Sequence, residues 1–427
     1  MLRHFLLATV TLHPSGAKMP RNILIFADGT GNEGGLLPDE SRTNVYKLFR
    51  ATRTGPDSNV DPLKQIAFYV QGIGTPVSGH TTLTARLRYT AQQMFGFGFT
   101  SRVIDCYLAV MSTWHPGDRT YLFGFSRGAY TARCVAHVLE LFGIPTKQPG
   151  SDSLSFEPNN LRKVAKHAVG ILYRHGMPTK DDEHRQELVD HFRKDYGSLI
   201  GPQIGATPYF IGVWDTVAAI GWKRFFPKWT YDLHFPRDVV FARHAMSIDE
   251  YRKDFSRVPW GGSGTIRSSG KAVVLEPFEQ IWFAGNHADI GGSYPENESR
   301  LSDIALTWMA DFVTNELPEE ARLSIDDRYL KLYPSSDGMM HDECMVGIGG
   351  TPAHWYPSDR DVPHDAVLHH TVIERLKMDR VRNFASYGPY RPAPLRNHRE
   401  AKIYFQGQAA PQGQVVASTP DGSTQLP

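Results

Sequence analysis

Cysteine is scarce in this chain: Cys106, Cys134 and Cys344 are the whole supply in 427 residues. They are too few for a disulfide framework, and no pair has C-x-x-C spacing, so a reducing compartment and no structural zinc are expected. An excess of either charge is also missing, with 46 Lys and Arg against 45 Asp and Glu and a formal net charge of +1. A dedicated nucleic-acid binder carries a basic surplus, so nucleic acid is not expected as a partner. No apolar run approaches the roughly 18 residues that cross a bilayer as a helix. There is no internal repeat and no G-x-x-x-x-G-K-[ST] phosphate loop. What is present is apolar mass: 41% hydrophobic and 11% aromatic residues, enough for a sizeable core. The length suits one large domain with insertions or two ordinary ones.

Residues 1–20 read as a leader. Residues 5–12 form a short apolar run behind Arg3, followed by Pro14-Ser15-Gly16-Ala17, which has the outline of a secretory signal. The run is short and weakly apolar for that role, and Met19-Pro20-Arg21-Asn22 leads directly into the first strand, so Met19 is the preferred start. At the other end, residues 391–427 are rich in Pro, Gln, Gly and Ser and read as a disordered tail. Between them, continuous apolar runs at 22–27, 65–70, 120–125, 209–214 and 280–284 alternate with stretches of helical periodicity such as 103–113 and 127–142. Strands apolar on both faces and separated by helices predict a parallel sheet covered on both sides. Ligand sites of such sheets lie beyond the carboxyl ends of the strands, where polar or glycine-rich loops follow each run.

The run at 120–125 ends in Gly124-Phe125-Ser126-Arg127-Gly128, a G-x-S-x-G sequence set between a strand and a helix. In that context the serine occupies a sharp, strained turn, and the glycines on either side remove Cβ atoms that would clash. The hydroxyl then projects at the top of the sheet beside a helix N-terminus. Ser126 is the candidate nucleophile; the competing reading is a serine that caps the helix.

A serine nucleophile needs a base and an acid that orients it. Asp215 follows the run at 209–214 and His287 follows the run at 280–284, in the chain order Ser, Asp, His of α/β-hydrolases. Asp289 is a rival acid that would more naturally shape the His287 loop; His369 and His370 are rival bases late in the chain. The backbone N–H of Arg127 is one expected oxyanion donor, and the loop at Gly29 and Thr30 is the other, with Asp28 orienting it. Nothing in the spacing of Asp28, Asp215, His287 and Asp289 requires a metal, and neither a metal nor a cofactor is expected.

Several stretches together resemble the α/β-hydrolase domain of the bacterial type VI secretion lipase effectors of the first family, and their uncharacterised bacterial and fungal relatives. They are Phe26-Ala27-Asp28-Gly29-Thr30 with Arg42-Thr43-Asn44-Val45, the segment around Ser126, and Gly212-Val213-Trp214-Asp215-Thr216-Val217. Arg243-His244-Ala245-Met246-Ser247-Ile248-Asp249-Glu250, the segment around His287, and residues 301–309 complete the set, in the expected order over about residues 21–310. The resemblance implies an α/β-hydrolase-like fold, a mostly parallel sheet with helices on both faces and helical or lid insertions, over residues 21–390. It implies a Ser-Asp-His triad acting on phospholipid esters, which falls on Ser126, Asp215 and His287. Cytoplasmic residence with export by a specialised bacterial secretion system is the corresponding localisation.

Two segments, about 146–206 and 220–275, interrupt the strand pattern and read as insertions. Within the second, Trp222-Lys223-Arg224-Phe225-Phe226-Pro227-Lys228-Trp229-Thr230-Tyr231 interleaves rings and cations. That composition suits either transient contact with a membrane surface or a lid packed on the core. The expectation is thus a serine esterase or lipase of phospholipase type. A hydrolase of a small soluble ester or thioester, or a catalytically silent interaction module, are the alternatives.

Overall fold

The structure, a computed structural model, describes residues 19–29, 41–72, 95–174, 182–217, 238–253, 255, 260, 277–344, 357–384 and 386–406. The apolar runs become strands: β1 (Asn22–Ala27), β2 (Gln65–Val70), β3 (Arg119–Phe125) and β4 (Pro208–Trp214). With β5 (Phe241–Ser247) and β6 (Phe278–Phe283) they form one six-stranded sheet in the order β2-β1-β3-β4-β5-β6. Every neighbouring pair is parallel. The chain winds outward from β1 to β2 and then returns to place β3 on the other side of β1. A crevice opens at such a switch point, beyond the carboxyl ends of β1 and β3.

Alternation along the strands assigns each side chain to one of two apolar layers. Ile23, Ile25, Leu122, Ile211 and Val213 pack on α2 (Phe95–Thr113) and α3 (Arg127–Phe142), with α4 (Pro158–Arg174) and α5 (Asp182–Tyr196) behind them. Leu24, Phe26, Phe123, Phe210 and Trp214 face the opposite way, onto α1 (Asn44–Thr52) and α7 (Arg300–Asp311). The short α6 (His287–Gly291) lies between β6 and α7. A third cluster gathers Met246, Ile248 and Trp282 with α8 (His370–Lys377) and residues that follow the small antiparallel hairpin β7 (Val381–Asn383) and β8 (Ser386–Gly388).

Two expectations need correction, for 220–275 and for the start of the tail. The segment 220–275 is not wholly an insertion, because β5 is an inner strand of the sheet. Its sequence lacks an apolar run because it carries Arg243 and His244, both buried. Arg243 lies 3.6 Å over the Phe312 ring and pairs with Glu279 on the adjacent strand, and His244 Nδ1 is 3.4 Å from Gln280 Oε1. The segment 146–206 contributes Leu161, Val164, Ala165, Val169, Val189 and Phe192 to the same core as α2 and α3, so it is built into the domain. The tail does not begin at 391: Leu395, Ala401 and Phe405 are buried in the third cluster, apolar anchors too widely spaced to show periodicity. Residues 1–18 of the leader, the lid sequence 222–231 and the chain after 406 lie outside the described residues.

Helix α3 meets the sheet through bare glycine backbone. A Cβ on Gly128 would lie 2.0 Å from the Ala27 carbonyl oxygen, and one on Gly124 would lie 2.4 Å from the Gly128 carbonyl oxygen. Gly170, inside α4, has nothing within 4 Å of that position. Gly128→Ala is therefore expected to lower the free energy of urea unfolding by roughly 1–3 kcal/mol or more through overpacking. Gly170→Ala should raise it by roughly 0.5–1 kcal/mol, because it restricts the unfolded chain and favours helix.

Candidate active site

Ser126 joins β3 to α3 with φ 58° and ψ −122°, a left-handed conformation that costs a non-glycine residue on the order of 1–3 kcal/mol. It occupies the cap position of α3, but its side chain makes no capping hydrogen bond. The capping alternative therefore does not account for the hydroxyl. Its N–H donates to the Trp214 carbonyl at 3.1 Å, tying the turn to the end of β4.

Asp215 leaves β4 with φ 34°, also in the left-handed region, and its N–H donates to the Ala245 carbonyl at 2.8 Å. Its carboxylate is 0% exposed. His287 Nδ1 lies 2.6 Å from Oδ2, the Ser247 N–H donates to Oδ1 at 3.1 Å, and Arg360 donates to Oδ1 and Oδ2 at 3.2 and 2.9 Å. Burial pushes this carboxyl upward, but Arg360, His287 and the Ser247 N–H outweigh it and hold it well below the usual range.

His287 opens α6, whose N-terminus is closed by a capping box between Asn286 and Asp289. Its ring sits between Phe125 and Phe255, with centroids 4.6 and 5.2 Å away. With Nδ1 on a carboxylate, the neutral imidazole carries its lone pair on Nε2. That atom is buried and has no hydrogen-bond partner among the described residues. The His287 N–H donates to Glu250 Oε2 at 3.3 Å, and Glu250 is paired with Arg252 at 2.7 Å.

The rival residues sit elsewhere. Asp289 accepts the Asn286 N–H at 3.1 Å and binds His341 Nδ1 at 2.8 Å. His369 stacks on Phe283 at 4.6 Å, with Nδ1 2.8 Å from Thr371 Oγ1. Burial, then the neighbouring His370, pushes it down to about 4. His370 is exposed beside Glu374.

Asp28 is buried, and its carboxylate accepts from Thr43 Oγ1 at 2.7 Å, Tyr69 OH at 2.5 Å and the Gly29 N–H at 2.6 Å. The Gly29 N–H is thus committed to Asp28 in this conformation; Thr30 lies outside the described residues. Arg127 begins α3 and lines a cleft with Asp28, Gln71, Arg102 and Thr131.

Sequence reasoning missed Arg360, Ser247 and His341 as parts of this arrangement, whereas Asp249-Glu250 stood out in the sequence as residues that could line the site. Arg360 is 145 residues from Asp215 and carries no local signal.

Residues 21–312 match the family described as T6SS, phospholipase effector Tle1-like, catalytic domain. The chain is 28% identical over 263 residues to the uncharacterized protein YEL023C of Saccharomyces cerevisiae, covering 58% of this chain and 34% of that protein. It is 23% identical over 189 residues to Lipase 1 of Staphylococcus aureus MRSA252, covering 43% and 26% respectively. The chain therefore spans about a third or less of the length of these curated relatives. Among solved structures, an uncharacterized protein from Pseudomonas aeruginosa is similar at a TM-score of 0.38 and 15% identity, over 74% of this chain and 48% of that one. The Tle1 effector bound to the VgrG spike of the type 6 secretion system is similar at a TM-score of 0.35 and 18% identity, over 67% and 53%.

Asp28 generates a pH prediction. Desolvation raises its carboxyl from 3.8 to about 6, against the hydrogen bonds from Tyr69, Thr43 and Gly29. The folded state then holds a proton that the unfolded chain has lost. The stability from this proton is complete below the unfolded value and disappears as pH rises through about 6. Asp28→Asn removes that dependence. Relative to wild type, the variant's urea-unfolding free energy should rise by up to about 3 kcal/mol between about pH 4 and 7. A flat difference across that range would contradict the assignment.

Proposed function

The chain belongs to the family of Tle1-like phospholipase effector catalytic domains, and we propose that it is a serine hydrolase of esterase or lipase type that cleaves phospholipid carboxylic esters through an acyl-enzyme. The observation that carries this reading is the 2.6 Å contact between Asp215, at the end of β4, and His287, beyond the end of β6. Support also comes from Ser126, held in a left-handed turn with its hydroxyl unused as a cap and its N–H on the Trp214 carbonyl, next to Asp215 in the chain.

In this reading Ser126 Oγ attacks the ester carbonyl while His287 Nε2 accepts its proton, and Asp215 stabilises the imidazolium that forms. The imidazolium then protonates the leaving alcohol, and water, activated by the same nitrogen, hydrolyses the acyl-enzyme. The Phe125 and Phe255 rings flank the imidazole and exclude water from it, which strengthens its interaction with Asp215. The Arg127 N–H, at the positive end of α3, supports the developing oxyanion. A second donor comes from the loop at Gly29 and Thr30, and recruiting Gly29 requires its N–H to turn away from Asp28.

No helix among the described residues is long and apolar enough to cross a membrane. In this reading lipid is met at a surface through the aromatic and basic sequence 222–231, and family membership supports export by a type VI secretion system.

A fluorophosphonate probe followed by mass spectrometry tests the mechanism. One adduct is expected on Ser126, absent in Ser126→Ala and slowed roughly a thousandfold or more in His287→Ala. Wild-type protein should also release fatty acid from phosphatidylglycerol or phosphatidylethanolamine liposomes, and Ser126→Ala should not. A wild-type chain that melts cooperatively yet takes no adduct would sink the serine-hydrolase reading.

A further inference from the structure

The family match ends at residue 312, yet three later side chains reach back to carboxylates around His287. His341 Nδ1 binds Asp289 Oδ1 at 2.8 Å, and Tyr390 OH donates to Asp249 Oδ2 at 2.7 Å. Arg360 lays its guanidinium fork along Asp215, at 3.2 and 2.9 Å. The first two hold carboxylates that shape loops. The third holds the acid that itself contacts the His287 ring.

A single surface ion pair would contribute little. This one is buried, with Arg360 at 7% and Asp215 at 0% exposure, and it is bidentate. A planar fork on a planar carboxylate fixes orientation as well as charge, which an ammonium cannot do. Oδ1 is shared by the Ser247 N–H and one guanidinium nitrogen, and Oδ2 by His287 Nδ1 and the other. The carboxylate therefore cannot rotate without breaking contacts at both oxygens. Among the described residues the other charged groups around His287 are Glu250, paired with Arg252 after β5, Asp289, on its own helix with His341 behind it, and Asp249, held by Tyr390 and the Gly285 N–H.

We infer that Arg360 is a positioning residue of the active site, keeping Asp215 ionised and turned so that Oδ2 faces His287 Nδ1. This rests on the hydrolase reading above and adds to it a residue that acts through Asp215.

The test is the rate of fluorophosphonate labelling of Ser126 as a function of pH, in Arg360→Lys and Arg360→Gln, each alone and combined with Asp215→Asn. Arg360→Gln should slow labelling roughly tenfold or more, and Arg360→Lys by less. With the guanidinium gone, buried Asp215 takes up a proton more readily. Loss of labelling on the acid side should then move upward in the Gln variant and stay in place in the Lys variant. In the Asp215→Asn background neither substitution should slow labelling further. Equal losses in both backgrounds, or an unmoved acid limb in Arg360→Gln, would overturn the inference. If Arg360→Gln fails to melt cooperatively, the Lys variant in the two backgrounds decides. A wild type that takes no label defeats the hydrolase reading as well, whereas a labelled wild type with additive Arg360 effects defeats this inference alone.

Discussion

Asp215 sits where no water reaches it, at the end of an inner strand, and the surrounding structure is organised by what that burial requires. A carboxylate without solvent is tolerated only when its oxygens are filled by donors of good geometry. Those donors come from three distant parts of the chain: Ser247 at the end of β5, His287 beyond β6, and Arg360 beyond the sheet altogether. The order β4-β5-β6 brings the first two within reach, because adjacent parallel strands deliver their carboxyl ends to the same edge of the sheet.

The same device recurs around the site. Asp28 accepts the Gly29 N–H, Asp249 the Gly285 N–H, Asp289 the Asn286 N–H and Glu250 the His287 N–H. Loops at strand ends have main-chain donors with no ladder partner, and here buried acidic side chains satisfy them. Each such bond places a backbone segment, so the carboxylates set loop geometry. Where no guanidinium grips the carboxylate, burial dominates: Asp28 and Asp249 are both raised to about 6, although Arg375 pulls Asp249 down. Asp215, gripped by a guanidinium, moves the opposite way.

The serine turn obeys a steric constraint. Gly128 lets α3 approach the Ala27 carbonyl, and this contact sets the serine beside the ends of β1 and β4. The left-handed conformation of Ser126 is the local cost of a chain that must reverse from strand to helix within one residue. Because β1 and β3 flank the switch point, the Asp28 loop and the serine turn face the same crevice.

Much of this was legible in the sequence because it is written locally. Apolar runs gave five strands, the glycines flanking Ser126 gave the turn, and Asp215 and His287 were marked by standing directly after strands; the structure brings those two into contact. Strand β5 was hidden because Arg243 and His244 interrupt its apolar pattern, and only neighbours across the sheet make their burial tolerable. Arg360, His341 and the packed segment through Phe405 were hidden for a related reason. Periodicity and backbone sterics act over a few residues and can be read from the chain in order. The pairing of buried charges depends on which distant segments the topology brings together, and that was decided only when the sheet closed around them.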